Sequence, residues 1–420
     1  MRYIIFSIII FSLFIFESCQ ITQTVRIGKV MSKAKVCNSD YYSTIPFEFT
    51  SGHIVIMSNI NGQNKKYKFF LDTGAPTVIT ASLADSLKIT RKRMFSKDED
   101  SGPIQNTFCI INSVQIGAIK YKKVGAINID LNRMVNSRCN QMPDGIIGSN
   151  VLSNGILQID FDKKNLVLTD KIGKLSYIDK AIKIKFNTVP FTKTPIITIL
   201  INDTIPVNLV FDTGFNGFIT LNDYRNDSTI YKGINEKKRA DALGIGYSDI
   251  YGKTDSVDLF SILRCNLTLG DTTFINVPLT YGKYKNVSSR KQGSIGNIFM
   301  KNFIVTIDWN EKYIYLFPTE KIRIPDNLNT FGINYGFVGN QLIIGTVYKN
   351  SEAYKIGILP GDTIYSINNI VISSLNDSDI CDYYNGKIDL NDNGEDIFIK
   401  IIKGDSIVQY YLKEYKLFNE

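Results

Sequence analysis

The chain has 420 residues, 44% hydrophobic and 21% charged, the composition of a globular protein of two or three domains. Its net charge of +8 comes from lysines scattered among apolar residues, not gathered into a patch or stripe, so no nucleic-acid partner is expected. With one histidine, His53, a Ser-His-Asp or Cys-His unit would have to use that residue, and the two-histidine HExxH zinc motif is excluded.

The first residues, MRYIIFSIIIFSLFIFESC, set Arg2 before an apolar run from Ile4 to Phe16. The run is short for a membrane span and reads as an export signal over residues 1–18. Ser18-Cys19 resembles a bacterial lipobox, although Phe16 stands where leucine is usual and Glu17 is foreign to it. The resemblance implies lipidation of Cys19 and an exported envelope protein anchored in a membrane, facing periplasm or cell surface. A secreted product and an uncleaved anchor are the alternatives. Residues 20–40 read as a linker. Cys37, Cys109, Cys139, Cys265 and Cys381 are odd in number, so at least one stays free or pairs outside the chain. Cys109 and Cys139 fall in one lobe and are candidates for a bond. No CxxC pair is present, which argues against a zinc ribbon or a thioredoxin-like site.

From residue 41 aromatic and β-branched residues alternate with polar ones, which favours strands. His53 opens such a run and is expected to be a strand residue without a chemical role. HIVIMSNINGQNKKYKFFLDTG reads as two strands around the turn pair Asn61-Gly62, ending in Asp72-Thr73-Gly74. A long middle leads to IIGSNVLSNGILQIDFDKKNLVL. The pattern then recurs: PIITILINDTIPVNLVFDTG turns at Asn202-Asp203 and ends in Asp212-Thr213-Gly214, and a second middle leads to SIGNIFMKNFIVTIDWNEKYIYL. Gly148 matches Gly296, Asn154 matches Asn302, and Ile159-Asp160-Phe161 matches Ile307-Asp308-Trp309, all at one constant offset. SVQIG, ending at Gly117, pairs with NLTLG, ending at Gly270. Units this long are not solenoid repeats. Two duplicated β lobes, 41–175 and 176–320, are expected.

A single Asp-Thr-Gly reads as a tight turn. Two copies in equivalent places, each embedded between apolar runs, imply a shared role. If the loops meet about a pseudo-twofold axis, Asp72 faces Asp212. Carboxylates that close share one proton, so that one serves as base and the other as acid. A water held between them can attack a peptide carbonyl. Thr73 and Thr213 can bond across the interface, and Gly74 and Gly214 let backbone N–H groups approach the carboxylates. This chemistry needs no metal and no cofactor.

These residues resemble the aspartic protease family, in a bilobal form with retropepsin-like lobes. LDTGAPTVI is similar to retroviral-type active-site loops, and IIG, Ile146 to Gly148, to their late hydrophobic-hydrophobic-Gly element, with SIG, Ser294 to Gly296, as a weaker second copy. The resemblance covers roughly residues 41 to 320. It implies a polypeptide substrate, hydrolysed at an acid dyad in a cleft between lobes under a hairpin flap, with the glycine of the late element packed beneath the active-site loop. Phe215 departs from the pattern, since a small residue or Ser/Thr is usual there; its ring would either crowd the loop or pack into its own lobe. Ser101 to Ile110 is the candidate first flap.

Residues 321–330 read as a second linker, marked by Pro325. Beyond it, SEAYKIGILPGDTIYSINN resembles the pattern SPAxxAGLxxGDxIxxING of bacterial-type PDZ domains, with Glu352 in place of Pro and Asn369 in place of Gly. The resemblance implies a PDZ domain over 331–416 that binds peptide C-termini by strand addition and carboxylate capture. Phe331-Gly332-Ile333 is the candidate capture loop, with Tyr335-Gly336-Phe337 a close second; a module used only for packing is the bland alternative. The expected fold is mainly β: two duplicated β-barrel-like acid-protease lobes forming one cleft, plus a small α+β PDZ domain, in a monomer. The expected function is an exported aspartic endopeptidase. The alternative is a catalytically silent envelope scaffold that uses the same parts for binding.

Overall fold

The computed structural model describes residues 25–50, 52–93, 107–129, 131, 142–222, 234–248, 252–282, 293–319, 322, 324, 328–384, 386–390 and 396–418. The chain is mainly β. After β1 (Tyr42–Pro46), lobe 1 contains β2 (His53–Ile60), β3 (Lys66–Asp72), β4 (Val78–Ile79), β5 (Arg91–Arg93), β6 (Thr107–Ile116), β7 (Ile119–Asn128) and β8 (Gly145–Gly148). Strand pairing runs β2–β3–β8–β4–β7–β6 and back to β2, closing a barrel. Alternation places the side chains: on β6, Ile111, Val114 and Ile116 are buried while Ile110, Asn112 and Gln115 face out. Asn61 and Gly62 both take positive φ, 53° and 73°, in the tight turn between β2 and β3.

β9 (Ile156–Asp160), β10 (Asn165–Thr169) and β11 (Ile182–Thr188) lead to lobe 2. Its strands are β12 (Pro195–Ile201), β13 (Ile205–Phe211), β14 (Ile219–Asn222), β15 (Arg239–Ser248), β16 (Gly252–Leu269), β17 (Thr272–Gly282) and β18 (Gly293–Ile295). Pairing runs β12–β13–β18–β14–β17–β16 and back to β12, the same closed order as lobe 1. The turn pair Asn202-Asp203 also takes positive φ at both residues, 48° and 61°.

The lobes join through a shared antiparallel sheet, β1–β10–β9–β19–β20–β11, completed by β19 (Phe303–Asp308) and β20 (Tyr313–Pro318). At its centre β9 pairs with β19, and Gln158 lies opposite Thr306. Their side chains bond, Gln158 Nε2 donating to Thr306 Oγ1 at 2.9 Å. These two residues are copies of one another at the offset read from the sequence, so a pseudo-twofold axis passes between them. One apolar core runs through both lobes.

Of the expected linker 20–40, the described residues 25–40 do not behave as a plain linker. Helix α1, residues 25–31, buries Val30 and Met31 against Phe108, and Lys35–Val36 pairs with Lys122 and Tyr121 on β7. The apolar residues of this segment find cover on lobe 1 and so fold with it. Among the described residues, no helix is long and apolar enough to cross a membrane. Cys109, a candidate for a bond with Cys139, is free because it points into the barrel core; Cys265 is also buried and free, and Cys37 is exposed and free. Burial pushes the Cys109 thiol up to about 11 and the Cys265 thiol up to about 12, so both stay protonated and unreactive. Cys381 is disulfide-bonded.

The C-terminal module has its own core. It comprises β21 (Ile333–Val338), β22 (Gln341–Tyr348), β23 (Thr363–Ile367), β24 (Asp396–Lys403) and β25 (Ser406–Lys413), paired in that order. Two short helices, Glu352–Lys355 and Asp377–Tyr384, complete it. Asn329–Thr330, expected within a linker, instead pairs with Lys416 and Tyr415. The module is also fused to lobe 2: β22 pairs with β15 at Ala242↔Tyr348, Leu243↔Val347 and Gly244↔Thr346.

Candidate active site

Each Asp-Thr-Gly loop follows the end of a barrel strand, β3 in lobe 1 and β13 in lobe 2. Thr73 and Thr213 are fully buried and bonded reciprocally. The Thr73 N–H donates to Thr213 Oγ1 at 3.0 Å, and the Thr213 N–H donates to Thr73 Oγ1 at 3.0 Å. Each hydroxyl then donates into the opposite lobe, Thr73 Oγ1 to Phe211 O at 2.6 Å and Thr213 Oγ1 to Leu71 O at 3.0 Å. A hydroxyl accepts and donates at once, so Thr satisfies both groups where Val could satisfy neither.

This network sets the carboxylates against each other across the axis. A Cβ added to Gly74 would lie 2.3 Å from the Asp212 carboxyl carbon, and one added to Gly214 would lie 2.3 Å from Asp72 Oδ2. Both loops therefore need glycine for close approach. Asp72 Oδ1 accepts the N–H groups of Gly74 at 2.7 Å and Ala75 at 2.9 Å, and Asp212 Oδ1 accepts that of Gly214 at 2.8 Å. Such bonds orient a carboxylate and favour its charged form.

Beneath each loop lies the glycine of the late element. A Cβ on Gly148 would sit 2.3 Å from the Pro76 carbonyl carbon, and one on Gly296 would sit 2.4 Å from Phe215 O. The Phe215 ring packs within its own lobe, over Gly217, where a Cβ would come 2.2 Å from its tip. Its bulk is accommodated by the absence of side chains at 217 and 296.

Three supporting residues escaped the sequence reading. Ser149 Oγ donates to Thr73 O, and its counterpart Asn297 donates through Nδ2 to Thr213 O at 2.7 Å and to Gly52 O at 2.9 Å. The signal was available, since each directly follows the glycine of IIG or SIG. Asn150 is buried and accepts from both the N–H and the hydroxyl of Thr77, each at 2.8 Å, while donating to Met31 O and Gly125 O.

Other candidates lie elsewhere. His53 stacks on Phe70 with ring centres 4.8 Å apart, and burial lowers its pKa, which favours the neutral ring. Cys19 lies outside the described residues, as does most of the candidate first flap; its last residues, 107–110, open β6, which pairs with β5 as a hairpin. Phe331 and Gly332 directly precede β21, with Gly332 at φ +84°, while Tyr335-Gly336-Phe337 lies inside that strand and is not a loop. The Gly332 N–H donates to Thr330 Oγ1 at 3.1 Å. On the β21 edge away from β22, Tyr335 O accepts from Tyr383 Oη at 3.4 Å and Phe337 O accepts from Tyr384 Oη at 3.1 Å. Among the described residues no cluster of side chains could hold a metal ion. A cavity of about 960 Å³, lined partly by Arg26, Lys29 and Lys92, shares no residue with the Asp-Thr-Gly loops.

Residues 56–151 match the protein-family model described as Aspartyl protease. That stretch holds the Asp72 loop and the IIG element. No curated protein sequence matches the chain. Among solved structures, the chain is similar to the aspartic proteinase from Irpex lacteus, at TM-score 0.41 and 14% identity, over 67% of this chain and 98% of that one.

Proposed function

We propose that the chain is an aspartic-type endopeptidase that hydrolyses peptide bonds through a water activated between Asp72 and Asp212. The observation that supports this reading is the reciprocal Thr73–Thr213 bonding, together with the close approach of Gly74 to the Asp212 carboxyl and of Gly214 to that of Asp72. One carboxylate takes a proton from the water as it attacks the scissile carbonyl. The other donates its proton to the carbonyl oxygen; the first then passes its proton to the leaving amine while the second takes one back from the gem-diol, which restores the pair. Because the pair exchanges a proton, its titration belongs to both acids together. Thr73, Gly74, Thr213 and Gly214 hold the pair, and neither metal nor cofactor takes part.

In this reading the signal delivers the chain out of the cytoplasm and Cys19 carries the lipid that anchors it in the envelope. The C-terminal module is a PDZ domain in which Phe331, Gly332 and Ile333 lie at the peptide-terminus site.

The test is cleavage of an unfolded protein by the chain lacking its signal, from acidic to neutral pH, with Asp72→Asn, Asp212→Asn and a pepstatin-type inhibitor alongside. The expected result is cleavage by the wild type that each substitution abolishes. No cleavage at any pH, with polypeptide binding intact, would leave a binding platform instead.

A further inference from the structure

After its Asp-Thr-Gly loop and a short strand, each lobe forms a hairpin: β5–β6 in lobe 1 and β15–β16 in lobe 2. The two occupy the same place in the barrel order. Among the described residues β5 pairs with β6 alone, whereas β15 carries β22 on its outer edge. The contact continues past the ladder, because the Lys349 N–H donates to Asp241 O at 2.8 Å. Ala240 and Ala242 on β15 are buried against Tyr348, Leu417 and Phe418, with Phe260 and Ile262 of β16 packed around them. The Arg264 guanidinium lies 4.8 Å from the Phe418 ring centre. A two-stranded hairpin beyond its barrel is marginal alone, and an open β15 edge would invite foreign strands. The module supplies the third strand and the apolar backing.

We propose that the C-terminal module is the positioning element of the lobe-2 hairpin, acting through β22 and Phe418, and that it thereby sets how tightly the cleft holds a polypeptide. This rests on the endopeptidase reading, with the lobe-2 hairpin taken as the counterpart of the candidate flap in lobe 1. The module touches neither Asp72 nor Asp212 in this scheme, so its effect falls on substrate binding and leaves the chemical step alone. The module is then part of the cleft machinery in addition to any peptide it binds for itself.

The test compares the full chain with Phe418→Ala and with Leu417→Ala/Phe418→Ala; if the double variant does not fold, the single one decides. Amide hydrogen exchange is followed on β15 and on β6, together with kcat and KM on an unfolded casein substrate. Expected are exchange on β15 about tenfold faster, equivalent to about 1.4 kcal/mol, unchanged exchange on β6, and a KM raised severalfold at unchanged kcat. Unchanged β15 exchange would overturn the holding role. Faster β15 exchange at unchanged KM would overturn the positioning role. If the wild type cleaves nothing, the endopeptidase reading fails by itself; exchange still decides holding, and the Kd for labelled casein replaces KM.

Discussion

Beneath the Asp72 loop lies a polar plug, and beneath the Asp212 loop lies a ring. In lobe 1 the Asn150 amide fills the space under the loop and ties Thr77 to the carbonyls of Met31 and Gly125. In lobe 2 the Phe215 ring covers Gly217, and Phe218 packs edge-on against Phe299, ring centres 5.6 Å apart. The barrels have the same strand order and the loops the same Asp-Thr-Gly. The atoms that meet at the axis are kept in both copies, while the packing just behind the loops differs. Support behind those atoms was free to change, because many packings can hold a loop while few can satisfy two buried hydroxyls crossing an interface.

The largest effect tests whether the copies are equal at the axis. Asp72→Asn and Asp212→Asn should each lower kcat by about 10³-fold or more, and the double variant should be little worse than either, because residues acting as a unit are not additive. Steady-state kinetics on one peptide substrate checks this. Substantial activity in one single variant would break the equivalence.

The next effect tests the inequality behind the axis. Asn150→Ala leaves the Thr77 N–H and two carbonyls without their partner and should cost about 2–4 kcal/mol. Phe215→Ala removes a half-buried ring and should cost about 1 kcal/mol. Urea unfolding of both measures the difference, and equal costs would mean that the ring supports its loop as firmly as the amide.

A third region sharpens the comparison. The barrel strands of the lobes close on one another and the β15 edge is covered by β22, but the β21 edge is closed by side chains, the hydroxyls of Tyr383 and Tyr384. A peptide adding to that edge must first displace them. Tyr383→Phe/Tyr384→Phe should therefore tighten binding of a peptide with a free C-terminal carboxylate by about thirtyfold, the equivalent of about 1 kcal/mol for each of the two freed acceptors. Fluorescence anisotropy with the matching C-terminal amide as control reads it; unchanged affinity would mean that the edge is not where peptides bind.

The sequence disclosed the parts of this architecture that repeat. The gap-free match of Ile159-Asp160 to Ile307-Asp308 reappears as the register of β9 on β19, since residues related by a twofold axis must pair about it. Asp72 and Asp212 were legible because an acid between apolar runs is costly unless it has a partner. Support residues were less legible. Asn150 gives no sign of its role, because its four partners come from three distant segments. The β15–β22 pairing was hidden for the same reason: an edge strand's alternation says which side is buried, not which strand lies beside it. Residues 25–36 looked like a linker because one short amphipathic turn is a weak signal until lobe 1 covers it.

The smallest effect concerns Asp160 and Asp308, copies at the ends of β9 and β19. Asp308 is buried, and burial raises its pKa against the opposing pull of the Asn310 and Glu311 N–H groups. A carboxyl with a raised folded pKa binds its proton more tightly in the native state than in the unfolded chain. Stability is then greatest at low pH and falls as pH rises from the unfolded carboxylate value through the folded one. Asp308→Asn keeps an oxygen for the same N–H groups but carries no charge. It should raise Tm slightly at pH 7, and the gain should vanish at pH 3, where the wild-type carboxyl is already protonated. Asp160 lies 3.5 Å from the Lys163 ammonium, so Asp160→Asn removes an attraction and should give no gain at either pH. Calorimetry of both variants at the two pH values decides whether two copies of one residue, on facing strands of one sheet, have opposite relations to their charge.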